Sequence, residues 1–381
     1  MKNKIFSLVL VLLFVFGISL LAKDQEGYLF AENREKVTND SFIAEPSFDT
    51  ANKVLRDQMP FRDDIINTFS KLFSKFSVGD KLVCYKREYI RVNDVYLDNT
   101  YTRASDDSAQ ICSSKAYNIN EISNKYKDIK TYVYYPRRSL KGQLLDSIYI
   151  PNNFEQYEQI FLSHVGDKIT YQSLDYSDEE LSKYFYKTDQ HYNAIGADKV
   201  YKDIIYMINK NFNIGEPLPL LSESTINNKF IGSYGDNNGR IVDVYDNLTV
   251  GDYGINIDEY DYYVNGQLSS IIKEQEATLK DPIYSKVRTY DAYYNVNAGN
   301  ISFDYHDDSK KNILIFTDSY IGPLKEVLSS HFNKTIMVCG SDILDEFDLD
   351  RIIKENNVDI ILFLWYQNNL YSNGYYFVPI S

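Results

Sequence analysis

From residue 312 to residue 364 the apolar positions follow two alternating patterns. Unbroken runs of strand length, at residues 312 to 316, Thr335 to Val338 and Ile360 to Leu364, are separated by segments with apolar residues at three- and four-residue steps. Those stepped segments carry Leu324, Val327, Leu328 and His331, and then Leu349, Ile352 and Ile353. The succession predicts alternating strands and helices in a parallel, doubly wound sheet. Ligands of such sheets bind outside the carboxyl ends of the strands. Ser319, in Thr317-Asp318-Ser319, stands at such an end.

Upstream the pattern is less regular. Lys23 to about Asp49 is polar and reads as a spacer. Within Asn52 to Phe76, the residues Ile65, Phe69, Leu72, Phe73 and Phe76 mark one amphipathic helix, with Pro60 near its start and Gly79-Asp80 ending it. Lys81 to Asn99 alternates enough for a pair of short strands. A helix is expected over residues 118 to 129, a strand at Thr131 to Tyr135 stopped by Pro136, and a helix from Tyr157 to Val165. Ser177-Asp178-Glu179-Glu180 is a capping-box start for a short helix. After His191, the stripe Val200, Ile204, Met207, Ile208 continues through Phe212 as a helix. Residues 213 to 310, rich in Tyr, Asn, Asp and Gly, have helical spacing only over Ser269 to Leu279 and read as a mainly β and loop insertion. The resulting organisation is a leader at 1–22, a spacer and amphipathic helix at 23–80, and an α/β domain at 81–381 with its insertion at about 213–310.

The N-terminus adds a location. Met1-Lys2-Asn3-Lys4 precedes an uncharged apolar run from Ile5 to Ala22, a positive region followed by a hydrophobic core. Leu20-Leu21-Ala22 matches a small-x-small cleavage site poorly, and the run is long enough to span a bilayer. Signal peptide and membrane anchor both stay open, and both put the remainder outside the cytoplasmic membrane. With 40 basic against 54 acidic residues and no basic cluster beyond the extreme N-terminus, the chain lacks the electrostatic footprint of a nucleic-acid partner. Three cysteines, Cys84, Cys112 and Cys339, allow at most one bridge and have no metal-like spacing. The four histidines are scattered without ligand spacing, so neither a metal nor another cofactor is expected.

One of those histidines stands in a chemically suggestive place. Lys187-Thr188-Asp189-Gln190-His191-Tyr192-Asn193 sets an acid and an imidazole two residues apart just before a helix, whose N-terminus favours an ionised Asp. An Asp-x-His pair can let the carboxylate accept from one ring nitrogen and leave the other as a general base. Ser319, at a strand end before a helix, can present its hydroxyl with backbone N–H groups aimed at a developing oxyanion. His164 reads as structural. Arg137-Arg138 is read as two solvated loop charges, with capture of an anionic substrate group as the sharper alternative. Tyr245, Tyr253, Tyr260, Tyr262, Tyr263, Tyr293 and Tyr294 suit half-buried strands or, alternatively, stacking on sugar rings.

The Asp-Ser block and the Asp-x-His pair resemble those of the SGNH hydrolase superfamily, with Thr317 in place of the glycine of Gly-Asp-Ser. The pair precedes the serine, which looks like the permuted order of the alginate O-acetyltransferase branch and its relative, the DHHW family of exported proteins. Thr188-Asp189-Gln190-His191-Tyr192 is similar to that branch's Thr-Asp-x-His-Trp signature. Glu32-Asn33-Arg34, Met59-Pro60-Phe61-Arg62-Asp63, Phe230-Ile231-Gly232-Ser233-Tyr234 and His331-Phe332 resemble the DHHW family in particular. Gln190 departs from it, where a second histidine is called for. The resemblance implies Ser319 as nucleophile, His191 as base and Asp189 as its orienter. Asn368, nine residues after Asp359, would donate to the oxyanion with the Ser319 amide, although Tyr366 replaces the usual glycine. The implied function is a serine-dependent O-acetyltransferase or esterase acting on an exported polysaccharide, with a membrane acyl-donor partner by analogy. The other reading is a catalytically inactive protein of the same fold that binds glycan or a cell-envelope partner.

Overall fold

In the computed structural model of the chain, the described residues are 27–29, 34–59, 61–74, 81–83, 88–92, 95–98, 107–138, 153–234, 245–280, 289–294, 299–339 and 348–371. The apolar run at residues 5–22, the Glu32-Asn33 pair, Pro60 and Cys84 lie outside them. Among the described residues no helix is long and apolar enough to cross a membrane. The chain divides into two units, one of residues 1–91 with 233–243 and the other of residues 92–232 with 244–381.

The first unit holds the hairpin β1 (Tyr28–Leu29) and β2 (Arg34–Glu35), helices α1 (Asn39–Ala44), α2 (Phe48–Asp57) and α3 (Arg62–Ser74), and strands β3 (Lys81–Val83) and β4 (Glu88–Val92). Asp57, fully buried, accepts from the Val37 N–H at 2.9 Å and so ties α2 to the segment before α1. The single helix expected over Asn52 to Phe76 is two. A proline at position 60 pushes its predecessor out of the helical region and brings no N–H, and Phe61 follows at φ 57°. Three residues of the expected apolar stripe do not face inward: Ile65, Phe69 and Leu72 are exposed, while Arg62 and Ile66 are buried.

The second unit is built on an eight-stranded sheet. In chain order its elements are β5 (Val95–Asp98), α4 (Ser108–Lys125), β6 (Lys130–Tyr135), α5 (Asn153–His164), β7 (Thr170–Ser173), α6 (Leu181–Tyr184), α7 (Ala194–Asn209), β8 (Ser222–Phe230), β9 (Asp246–Asp252), β10 (Asp261–Val264), β11 (Gln267–Ser269), α8 (Ile271–Lys280), α9 (Thr289–Tyr294), β12 (Asn300–Asp304), β13 (Ile313–Thr317), α10 (Lys325–Ser329), β14 (Lys334–Cys339), α11 (Leu349–Glu355) and β15 (Ile360–Leu364). Lys81 to Asn99 therefore gives three strands rather than a pair, and the helix expected at 118 begins ten residues earlier, at Ser108.

The sheet order is β11-β10-β12-β14-β13-β15-β6-β7. From β14 to β7 every neighbouring pair is parallel, while β12, β10 and β11 extend that sheet antiparallel. The stretch from 213 to 310 thus supplies three strands of the main sheet, and β8 and β9 form a separate antiparallel pair. Alternate residues of β6 serve opposite faces: Val133 and Tyr135 pack with α4 and α5, while the Tyr134 hydroxyl donates to Asp203 on α7 at 2.9 Å. Helices on both faces explain why β13 and β15 are buried at every position. Burying each such Ile, Leu or Phe is worth roughly 1.5–3 kcal/mol. After β13 the chain adds β14 on one side and then crosses to lay β15 on the other. This makes the carboxyl end of β13 a switch point, the place where such sheets open a crevice.

Candidate active site

The residues that follow β13 and β15 meet at this crevice. Asp318, buried, caps the single 3-10 turn Ser319–Ile321 by accepting from the Tyr320 N–H at 3.0 Å. Its other oxygen accepts from the Tyr366 N–H at 2.6 Å and from Asn369 Nδ2 at 2.7 Å, both beyond the end of β15. Burial raises the Asp318 pKa, and the N–H donors of Tyr366 and Tyr320, the nearby His191 and Asn369 draw it back. The turn Gln367–Leu370 is fixed in its own right from α4, where Lys115 Nζ donates to the Asn369 carbonyl and Cys112 Sγ to that of Leu370 at 3.3 Å. Burial lowers Lys115 to about 8 and raises the Cys112 thiol to about 12.

The acid and the imidazole are held differently. Asn193 caps α7, its side chain accepting from the Gly196 N–H at 3.0 Å. The loop before it is pinned by Asp246, which accepts from Lys187 N at 2.9 Å and from Thr188 N and Oγ1 at 2.8 and 2.7 Å. Burial raises the Asp246 pKa and these donors oppose the rise. Thr188 Oγ1 in turn accepts from Gly232 N at 3.0 Å. Gly232 is packed so closely that a Cβ there would fall 2.2 Å from the Asp189 Cβ. Asp189 Oδ1 accepts from the His191 backbone N–H at 2.9 Å and from His191 Nδ1 at 2.6 Å.

The two halves meet at the ring. His191 Nε2 lies 2.6 Å from Ser319 Oγ. Since Nδ1 donates to Asp189, Nε2 is the acceptor of the serine O–H. His191 is 2% exposed, and Ser319 is only half-buried. Tyr290 stacks face to face on His191, with centroids 3.8 Å apart and planes 14° apart, and its hydroxyl donates to the Ser319 carbonyl at 3.1 Å. Tyr320 packs obliquely on the ring at 4.9 Å, its hydroxyl donating to the Gln190 carbonyl. Tyr192, where the Thr-Asp-x-His-Trp signature has tryptophan, is fully buried and donates to the Tyr320 carbonyl.

The structure therefore brings Asp189, His191 and Ser319 into one hydrogen-bonded line from segments 128 residues apart. Asn368 falls in the turn Gln367–Leu370, its side chain outside the described residues. Asp359 stands at the opposite end of the sheet, with Oδ2 accepting from Asn312 N at 2.9 Å and Oδ1 facing Lys311 Nζ at 2.8 Å. Neither arginine is a solvated loop charge. Arg137 pairs with Glu155 and Glu158, and Arg138, fully buried, donates to the carbonyls of Tyr96 at 2.9 Å and Tyr186 at 3.3 Å. Arg138 N also donates to Gln367 Oε1 at 2.7 Å, so this residue joins the approach to Asp189 with the turn after β15. His164 bonds its own helix, at the Ile160 carbonyl, away from the crevice. Cys112 and Cys339 are buried free thiols. The reading of the sequence did not identify Asn369, Asp246 or Tyr290 as part of this assembly. Only Gly232 lay in a segment already singled out, Phe230 to Tyr234.

No protein-family model matches the chain, and no curated protein is similar to it in sequence. Its fold is nevertheless shared with solved structures. PatB1 of Bacillus cereus, one of whose structures carries a sulfonyl adduct, superposes with a TM-score of 0.59 at 18% identity, over 76% of this chain and 99% of its own. A DHHW family protein from Eubacterium siraeum superposes with a TM-score of 0.54 at 16% identity, over 77% of this chain and 95% of its own. The likeness is one of fold, and it agrees with the α/β, parallel-sheet architecture expected from the sequence.

Proposed function

We propose that the protein is a serine-dependent O-acyl transferase or esterase, acetyl being the favoured acyl group, that works outside the cytoplasmic membrane on a polysaccharide. The observation that carries this reading is the line Asp189–His191–Ser319, with 2.6 Å at both of its hydrogen bonds. In the first half-reaction Ser319 Oγ adds to the acyl carbonyl while its proton passes to His191 Nε2. Collapse of the tetrahedral intermediate breaks the bond to the leaving oxygen, which takes that proton and departs as an alcohol. An acyl-serine and a neutral imidazole remain. In the second half-reaction a sugar hydroxyl or water gives its proton to Nε2 and adds to the acyl group; the Ser319 oxygen leaves with the proton. Asp189 orients the ring and stabilises the imidazolium in each half. The oxyanion is assigned to the Ser319 amide and Asn368. The acyl donor is assigned to a membrane partner, and the N-terminal apolar run to export.

The test is covalent. A fluorophosphonate, or a sulfonyl fluoride as the adduct on PatB1 suggests, should attach at Ser319, and a chromogenic acetyl ester should give a burst of one acyl group per chain. Ser319→Ala should abolish both while leaving the melting temperature unchanged. If wild type and Ser319→Ala are equally inert to all three reagents, the glycan-binding reading replaces this one. Labelling at a different serine would keep the enzyme and discard the site.

A further inference from the structure

A partly open cleft of about 100 Å³ lies against Gly322 and Pro323, just beyond the Ser319 turn. Its walls carry Asp252, Tyr253, Tyr293, Tyr294, Lys325 and Glu326. Tyr294 links it to the relay, since its ring packs on Tyr290 at 4.8 Å and Tyr290 stacks on His191 at 3.8 Å. A substrate seated in the cleft would therefore lie about two aromatic rings from the base.

The lining selects among ligands. The flat apolar face of a pyranose packs on aromatic rings, and its hydroxyls donate to carboxylates. Tyr293 is half-buried, its ring standing on Tyr294 at 89°, so the ring is braced without being sealed off. Asp252 is exposed, with Oδ1 accepting from Gly254 N at 2.8 Å. Glu326 Oε1 accepts from the Tyr260 hydroxyl at 2.6 Å. Among the described residues of the lining the one cation is Lys325, which is buried and donates to the Tyr294 carbonyl at 2.6 Å. Burial and that bond leave little of this side chain open to the solvent-facing part of the cleft. The accessible charge is then acidic, which repels polyanionic glycans and accommodates hydroxyl-rich ones that carry no acid.

We infer that this cleft is a binding subsite for a non-acidic hexopyranose of the substrate polysaccharide, an inference that rests on the acyl-transfer reading above. Tyr293 supplies the stacking face, and Asp252 and Glu326 accept from ring hydroxyls. The subsite thereby sets which glycan reaches Ser319, excluding uronate polymers.

Calorimetric titration of the Ser319→Ala chain tests this without turnover, using chitotetraose, cellotetraose and tetragalacturonate as probes. At least one of the first two should bind. Tyr293→Ala should weaken that binding about tenfold and Asp252→Asn about threefold, with tetragalacturonate at least tenfold weaker than the better neutral probe. With Ser319 restored, the exposed Asp252→Asn variant should hydrolyse a small acetyl ester at the wild-type rate, because that ester does not need the subsite. The exposed Asp252→Asn change covers the case in which Tyr293→Ala fails to fold. The inference falls if neither neutral tetrasaccharide binds, if both variants bind as the parent does, or if tetragalacturonate binds as tightly. Inertness of the wild type toward the small ester would instead count against the relay, and sugar binding would still be read separately.

Discussion

Asp318 and Asp359 join the ends of the same two strands, β13 and β15, but at opposite edges of the sheet and by different means. At the amino edge Asp359 accepts from the Asn312 N–H and faces Lys311, with its side chain 30% exposed and the lysine 46%. At the carboxyl edge Asp318 is 3% exposed and is held by the N–H groups of Tyr320, Tyr366 and Asn369. Water and a mobile cation make the first clamp cheap and weak. The second removes a carboxylate from water, a cost offset only because three donors converge on it. It holds one conformation of the turn that presents Ser319. Rigidity has been built where a hydroxyl must be aimed, and not at the end where the strands merely need to stay in register.

Breaking the buried clamp should have the largest effect. Asp318→Ala strands donors of Tyr320, Tyr366 and Asn369, and at ~1–3 kcal/mol for each buried unsatisfied group the expected loss is about 3–5 kcal/mol. Urea denaturation measures it, and a loss below about 1 kcal/mol would refute the contrast. Next comes Gly232→Ala, whose methyl group would fall 2.2 Å from the Asp189 Cβ. Moving that carboxylate should cost roughly 10²-fold in acetyl-ester hydrolysis, with a stability loss of ~1–3 kcal/mol. Wild-type rates would mean that Asp189 is not held by this contact. Acid sharpens the comparison further. The folded pKa of Asp318 is raised above its unfolded value, so its contribution to stability is fully present below roughly pH 4 and is lost as pH rises through the folded pKa. The stability advantage of wild type over Asp318→Asn should accordingly shrink across that window as pH rises, and a gap that widens would reverse the sign. Smallest of all, Lys311→Met should cost under about 1 kcal/mol, and less still in 0.5 M salt. A larger, salt-insensitive loss would put the two clamps in one class.

The strands of the parallel core and the Asp-x-His and Ser positions could be read from the chain because each is a local pattern: an unbroken apolar run, or chemistry-bearing residues beside a predicted element. What fixes them could not. Asn369 reaches Asp318 across 51 residues and Tyr290 reaches Ser319 across 29, and no spacing rule records such pairs. Tyr290 lies on α9, a helix of six residues, Thr-Tyr-Asp-Ala-Tyr-Tyr, too short and too aromatic to show a helical stripe. Arg137 and Arg138 look like surface charges in sequence, and only the carboxylates and carbonyls gathered around them by the fold explain their burial. The break between α2 and α3 has a visible cause in Pro60, a residue that a helix start also tolerates. An aspartate immediately after a predicted strand end, as at Asp318, is the one signal that could have pointed to the clamp.

The strand order also bears on how the molecule is made. β13 reaches β6 only through β15, which pairs Ile360 with Lys130. A nascent chain that has left the ribosome as far as residue 355 carries Asp189, His191 and Ser319 but lacks the strand between the two halves of its sheet, as well as Tyr366 and Asn369. Such a chain holds every reacting group but lacks the donors that fix the Ser319 turn, and its exposed strand edges wait on β15. Synthesis through Asn369, and not to Ser319, supplies the donors of Tyr366 and Asn369 that hold the Ser319 turn. A ribosome that stalls within β15 would leave an inert, aggregation-prone product in place of a weakened one.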